Sequence, residues 1–188
     1  MPDAGPDSIT DGPFAHHLDR FADFDARVDD FVDSLRTPTL DHVFYALSSA
    51  ADHSLLWHVI GTLQSARRVS LAPAKRLSKI LGVESALTNG VIKSLFRRER
   101  PDRSDDPTQP LPYGMHVPIT SSFPSGHATA AFCAAAVLSE DGNTVLWHTL
   151  AALVASSRVY VRMHHASDVI GGAALGIILG ATLRRAIR

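Results

Sequence analysis

The chain has 188 residues, 45% of them hydrophobic, which is enough for one domain with a sizeable core. A formal net charge of -1 excludes a nucleic-acid binder that works through overall positive charge, and a single cysteine, Cys133, excludes an intrachain disulfide. The mean hydropathy of +0.05 suits a soluble globule or a small membrane protein with a polar tail.

Residues 1–13 hold three Asp, three Pro and two Gly and are expected to be a disordered tail. They lack the basic start and apolar run of a signal peptide. Over residues 14–37, Phe14, Leu18, Phe21, Phe24, Val28, Phe31 and Leu35 recur at steps of three or four, which predicts an amphipathic helix. Its other face is mostly acidic, so the helix is expected to pack on the rest of the protein or on a second copy rather than on anionic lipid. Thr37-Pro38 closes it.

Five apolar segments follow, at about 42–64, 78–96, 126–139, 144–160 and 168–183. They are rich in Ala, Leu, Val and Gly without strict alternation, so all five read as helices and the fold as all-α. A bilayer span needs about 20 apolar residues. The last three segments fall short of that, and the first carries Asp52 and His53. Cys133 reads as a small buried residue. In an antiparallel bundle, stretches 97–125 and 158–168 share one end. Arg67, Arg68, Lys75, Arg76, Arg184, Arg185 and Arg188 gather at the other.

The first of these ends collects the chemistry. Lys93 and Arg100 come from the close of the second segment and the loop beyond. Ser125, Gly126 and His127 open the third segment, and Arg158, His164 and Asp168 join the fourth to the fifth. Three fixed cations can stabilise the spread charge of a phosphoryl group in transfer. A Ser-Gly turn at a helix start offers free N–H groups to an anion. Two histidines can divide the proton work, one neutral and nucleophilic, the other protonated toward the leaving oxygen. Asp168 lies four residues after His164, a spacing that lets a carboxylate hold one ring nitrogen.

Spacing alone leaves the roles of the two histidines open. Lys93-(six residues)-Arg100-Pro101, Pro124-Ser125-Gly126-His127 and Ser157-Arg158-(five residues)-His164-(three residues)-Asp168 together resemble the three-part signature of the type 2 phosphatidic acid phosphatase superfamily. That superfamily also holds vanadium haloperoxidases and bacterial acid phosphatases. The resemblance implies a helical bundle, with domain limits here of 38–188, and a phosphohistidine on His164. It implies that Asp168 orients that ring and that His127 is the general acid. Lys93, Arg100, Ser125, Gly126 and Arg158 would bind phosphate, with no metal or cofactor. The expected substrate is a lipid phosphomonoester or diphosphate, phosphatidate or polyprenyl. The expected location is the cell membrane in several passes, with the site facing away from the cytoplasm. Thr37-Pro38-Thr39-Leu40-Asp41, with Ala51-Asp52-His53 and Leu56-Trp57, is also similar to actinobacterial members, some linked to polyprenyl-phosphate sugar metabolism.

Rival readings are a soluble acid phosphatase or haloperoxidase of the same superfamily, and a lipid-phosphate binder with a silent pocket. A metal site on His127, His164 and Asp168 is disfavoured by the three cations, which would repel a divalent ion. A homodimer through helix 14–35 is compatible with either function. His16 and His17 read as surface groups, and His42, His53, His58 and His148 as core or interface groups. His116 is a loop residue within reach of substrate, and His165 is expected to point away from it. Arg97, Arg98 and Arg103 read as solvated loop charges.

Overall fold

The computed structural model describes residues 19–101, 112–114, 116 and 118–187. The expected tail 1–13, the start of the N-terminal helix with His16 and His17, and Arg103 lie outside them. Among the described residues the fold is all helical.

Helix α1 spans Ala22–Ser34, α2 Pro38–Ala50 and α3 Leu55–Arg67. Helix α4 spans Ala72–Ser85 and runs on through a wide turn, Ala86–Val91, and a tight one, Ile92–Leu95. Helices α5 (Gly126–Leu138), α6 (Thr144–Tyr160) and α7 (Ala166–Ala186) complete the bundle. Thr37 caps α2 by accepting from the Leu40 N–H at 3.2 Å, and Pro38 occupies the first turn, where its missing N–H costs nothing.

The first apolar segment forms two helices rather than one. His53 and Ser54 adopt left-handed backbone angles (φ 53° and 60°), which no continuous helix accommodates. The break sets Asp52 at the rim of the bundle instead of in a helix interior. The last segment is longer than its apolar run: α7 has 21 residues, with a mean hydropathy of 1.6 over its most apolar window. It is the one described helix long and apolar enough to cross a membrane.

Helix α5 is the axis. Ala128, Ala131, Cys133, Ala134, Ala135 and Leu138 are all buried on it, around most of its circumference. Its alanines match a stripe of glycines on α7. A Cβ on Gly172 would stand 2.5 Å from the Ser125 carbonyl oxygen, and one on Gly180 would stand 2.7 Å from the Ala136 methyl. Only glycine lets the two backbones approach this closely. Trp57, Leu77, Ile80, Leu81 and Val154 fill the space between α5 and its other neighbours.

Of the two partners expected for the apolar row of helix α1, the rest of the protein or a second copy, the bundle is not the one most of it meets. Asp25 is only 2% exposed, whereas Phe31 is 62% exposed, and Phe21, Phe24 and Leu35 also face outward.

Candidate active site

The two polar stretches meet at one end of the bundle, as their positions in the chain predict. The Ser125 N–H donates to the Asp168 carbonyl at 3.0 Å, and the Ser122 N–H to the Arg98 carbonyl at 2.9 Å. Arg100 Nη1 donates to the Met163 carbonyl at 2.6 Å. A cleft of about 680 Å³ opens there. Lys93, Arg100, Gly126, His127, Arg158 and His164 all line it, as does exposed His116. Ser125 and Asp168 stand behind its wall, fully buried.

His164 follows the end of α6 in the short connection to α7. Arg100 Nη1 lies 3.3 Å from its Nε2. A guanidinium can only donate, so Nε2 is the acceptor and its lone pair is directed at Arg100, a residue of the cleft lining. The ring proton then sits on Nδ1, 3.6 Å from Asp168 Oδ2. That separation exceeds a hydrogen bond, and Nδ1 is buried without a hydrogen-bond partner. Such contacts tighten when substrate binds. Burial, with Arg100 and Arg158 adding to it, pushes the His164 imidazole down to about 3. The ring is therefore neutral, as a nucleophile requires.

Lys93 ends the α4 extension with its ammonium beside Gly126: a Cβ at Gly126 would be 3.8 Å from Nζ. Burial first, then Arg100, lowers this ammonium to about 8. Arg158 is buried on α6, with Nη1 on the Ser48 hydroxyl and 3.7 Å from Asp52 Oδ1. Its Nε is buried and unpaired. An unpaired buried donor beside two other cations suits an anionic ligand. Ser125 caps α5 through its hydroxyl, 3.5 Å from the Ala128 N–H. That cap leaves the first N–H groups of α5 at the cleft.

A sequence model of the PAP2 superfamily matches residues 76–188, more than half of the chain. The chain belongs to the PAP2 superfamily. The decaprenylphosphoryl-5-phosphoribose phosphatase of Mycobacterium tuberculosis (strain H37Rv) is 30% identical over 72% of this chain and 73% of its own length. Phosphatidylglycerophosphatase B of Bacillus subtilis is 35% identical over 50% of this chain and 48% of its own. The crystal structure of a transmembrane PAP2 type phosphatidylglycerolphosphate phosphatase from Bacillus subtilis superimposes with a TM-score of 0.69 at 25% identity, covering 90% of this chain and 87% of that one. Aquifex aeolicus LpxE shares the fold, with a TM-score of 0.65 at 24% identity over 85% of this chain and 94% of that one. The all-α expectation and the family expectation both hold, and the chain is a PAP2-type phosphoric ester hydrolase.

Sequence reasoning missed three residues of this PAP2 site, and all lie ahead of or between the signature positions. Asp52 Oδ1 accepts from His127 Nε2 at 2.7 Å, which holds the ring and fixes a proton on that nitrogen. Burial works against the charge of Asp52, yet the His127 hydrogen bond and Arg158 keep its carboxyl below the ordinary range. Arg98 is not a solvated loop charge. Its guanidinium reaches Asp168 Oδ1 at 2.5 Å and Asp25 Oδ2 at 2.6 Å. Asp25 is the third, and it arrives from α1, outside the matched PAP2 region. The available signal was an acid in an apolar setting: Asp52 interrupts the first hydrophobic segment, and Asp25 borders the phenylalanine row.

Proposed function

We propose that this chain hydrolyses a lipid phosphomonoester or diphosphate without a metal, through a phosphohistidine on His164. The observation that supports the reading is the Arg100 donor at His164 Nε2, which marks that nitrogen as unprotonated, with its lone pair becoming available to phosphorus when a phosphate oxygen takes the Arg100 donor. In the first step Nε2 attacks phosphorus and the bond to the leaving oxygen breaks. His127 gives that oxygen a proton. In the second step His127, now neutral, takes a proton from water as the water oxygen attacks phosphorus. The N–P bond breaks and inorganic phosphate leaves. Lys93, Arg100 and Arg158 hold the equatorial oxygens in both steps, with the Gly126 N–H in the turn that Ser125 caps. Asp168 orients His164 and stabilises the charge it gains.

The relatives are lipid phosphatases by name, which supports a phosphatidate-like or polyprenyl phosphate as substrate. A membrane-embedded enzyme is supported by α7 and by the transmembrane structural neighbour. A site facing away from the cytoplasm is supported by Arg67, Arg68, Lys75, Arg76, Arg184 and Arg185 at the opposite end, once the cations assigned to phosphate are discounted at the catalytic end. A dimer through helix 14–35 would use the outward row of Phe21, Phe24, Phe31 and Leu35, and sedimentation of a Phe24→Ser, Phe31→Ser variant tests it.

The deciding experiment is phosphate release from phosphatidate, polyprenyl diphosphate, a polyprenyl-phosphosugar phosphate and a soluble ester. Each is run with EDTA and beside His164→Ala. Release that survives EDTA and vanishes in the variant is expected. Release abolished by EDTA sinks the metal-free mechanism. Silence on every substrate favours a lipid-phosphate binder.

A further inference from the structure

Helix α1 carries Asp25, Asp29 and Asp33 four residues apart, on one face. Each meets an arginine beside the His164 segment. Arg162 pairs with Asp29 at 2.8 Å and also with Asp33. Arg162 holds a left-handed backbone (φ 55°) two residues before His164, a conformation that costs a non-glycine residue energy and needs outside support. Arg98 pairs with Asp25 at 2.6 Å.

The Asp25 contact goes furthest. Its Oδ1 accepts from the Ser167 N–H at 2.8 Å, and its Oδ2 accepts from the Ser167 hydroxyl at 2.7 Å as well as from Arg98. Arg98 Nη1 continues to the Ser167 hydroxyl at 2.7 Å and to Asp168 Oδ1 at 2.5 Å. Asp168 Oδ2 accepts from the His165 N–H at 2.9 Å and faces His164. Hydrogen bonds therefore run from α1 to Asp168, whose Oδ2 lies 3.6 Å from the His164 ring.

We propose that Asp25 and Arg98 are positioning residues for the nucleophile, with α1 serving as a strap that sets the Asp168 carboxylate against His164 through the Arg98 guanidinium. The physical reason is competition. An arginine facing Asp168 alone forms a two-pronged pair with both carboxylate oxygens. That would turn the carboxylate toward the guanidinium and its Oδ2 away from His164. Asp25 occupies the other side of the guanidinium, so one prong remains for Oδ1. Asp25 also offsets a buried positive charge that would otherwise oppose the imidazolium-like charge developing on His164.

This inference rests on the His164 reading, and the test separates the two. Steady-state kinetics on the best lipid phosphate would compare wild type, His164→Ala, Asp25→Asn, Arg98→Gln, the Asp25→Asn/Arg98→Gln pair, and exposed Asp30→Asn as a control. Orthovanadate inhibition reports whether the pocket has formed. The expected result is a kcat loss of about tenfold or more in Asp25→Asn, as for other outer partners of a reactive group, with KM and vanadate inhibition changed less than about threefold. The paired variant should be no slower than the worse single one, because both break the same link. Asp30→Asn should match wild type. Wild-type kcat in Asp25→Asn, additive losses in the pair, or joint loss of turnover and vanadate inhibition would each overturn the positioning role. An active wild type that is indifferent to His164→Ala would overturn the underlying reading instead.

Discussion

Asp52 and His127 stand 75 residues apart in the chain and share a 2.7 Å hydrogen bond at the cleft wall. The bond ties up Nε2, so in the proposed mechanism Nδ1 is the nitrogen that serves the leaving oxygen. Asp52 also faces Arg158 at 3.7 Å, so one carboxylate meets both the proposed acid and a proposed phosphate-binding residue.

If Asp52 sustains the acid, its loss should depend on how much the leaving group needs a proton. A lipid alkoxide needs one; a nitrophenolate does not. Asp52→Ala should lower kcat/KM by about 100-fold on a lipid phosphate and by less than about tenfold on p-nitrophenyl phosphate, within the usual range for general acid catalysis. Equal losses on both substrates would mean that Asp52 serves Arg158 or the fold rather than the proton.

The pH profile of kcat/KM should fall on the alkaline side as Lys93 loses its charge. Burial places that ammonium at about 8, so the charged form that binds phosphate prevails below this pH and disappears above it. His164, at about 3, stays neutral across the working range, whereas burial and Arg158, opposed by Asp52, lower His127 to about 4, so loss of the proton the proposed acid must carry adds a second decline at lower pH than that of Lys93. Lys93→Arg should carry the alkaline limb beyond the range where a lysine titrates, because a guanidinium keeps its charge there. A limb near 8 that persists in Lys93→Arg would assign it to another group.

The glycine stripe of α7 makes a stability prediction free of catalysis. Gly180 is remote from the cleft, and a Cβ there meets the Ala136 methyl at 2.7 Å and the Cys133 carbonyl at 3.0 Å. Gly180→Ala should destabilise by about 1–3 kcal/mol through overpacking. Gly82, in helix α4, has open space around its missing Cβ. Gly82→Ala should be neutral or stabilising by up to about 1 kcal/mol from helix propensity. Thermal melts in one detergent compare the two, and equal effects would show that α5 and α7 are not closely packed.

The parts of this site that depend on spacing could be read in the chain. Lys93, Arg100, His127, Arg158, His164 and Asp168 carry a pattern whose intervals are themselves informative, and five of the six line one cleft. Helix starts at 126 and 144 agree with the expected segments, whereas α7 begins at Ala166, two residues before the expected 168. Asp25, Asp52 and Arg98 obey no interval. Asp25 and Asp52 are two of 19 acidic residues, and only the tertiary fold says which acid meets which base. Arg98 and Arg100 differ by two positions in the same loop, too little for composition to separate a bridge to Asp168 from a donor to His164. Which side of α1 meets the bundle stayed open for a related reason. A hydrophobic row locates a helix and its apolar side, but when arginines wait in the bundle, the acidic side docks.

Arg158 offers the most direct test that the cleft awaits an anion. Its Nη1 is spent on Ser48, while Nε is buried without a partner. Leaving such a donor unpaired costs about 1–3 kcal/mol, recovered when a phosphate oxygen accepts from it. Inorganic phosphate should therefore raise the melting temperature of wild type with a saturating concentration dependence. Arg158→Lys keeps one positive charge and loses the Nε donor and the planar fork. It should weaken phosphate stabilisation by about tenfold in apparent Kd, the equivalent of one lost charge-assisted hydrogen bond. Undiminished stabilisation in Arg158→Lys would mean that charge alone holds the anion. No stabilisation of wild type by phosphate or vanadate would remove the anion site from this cleft.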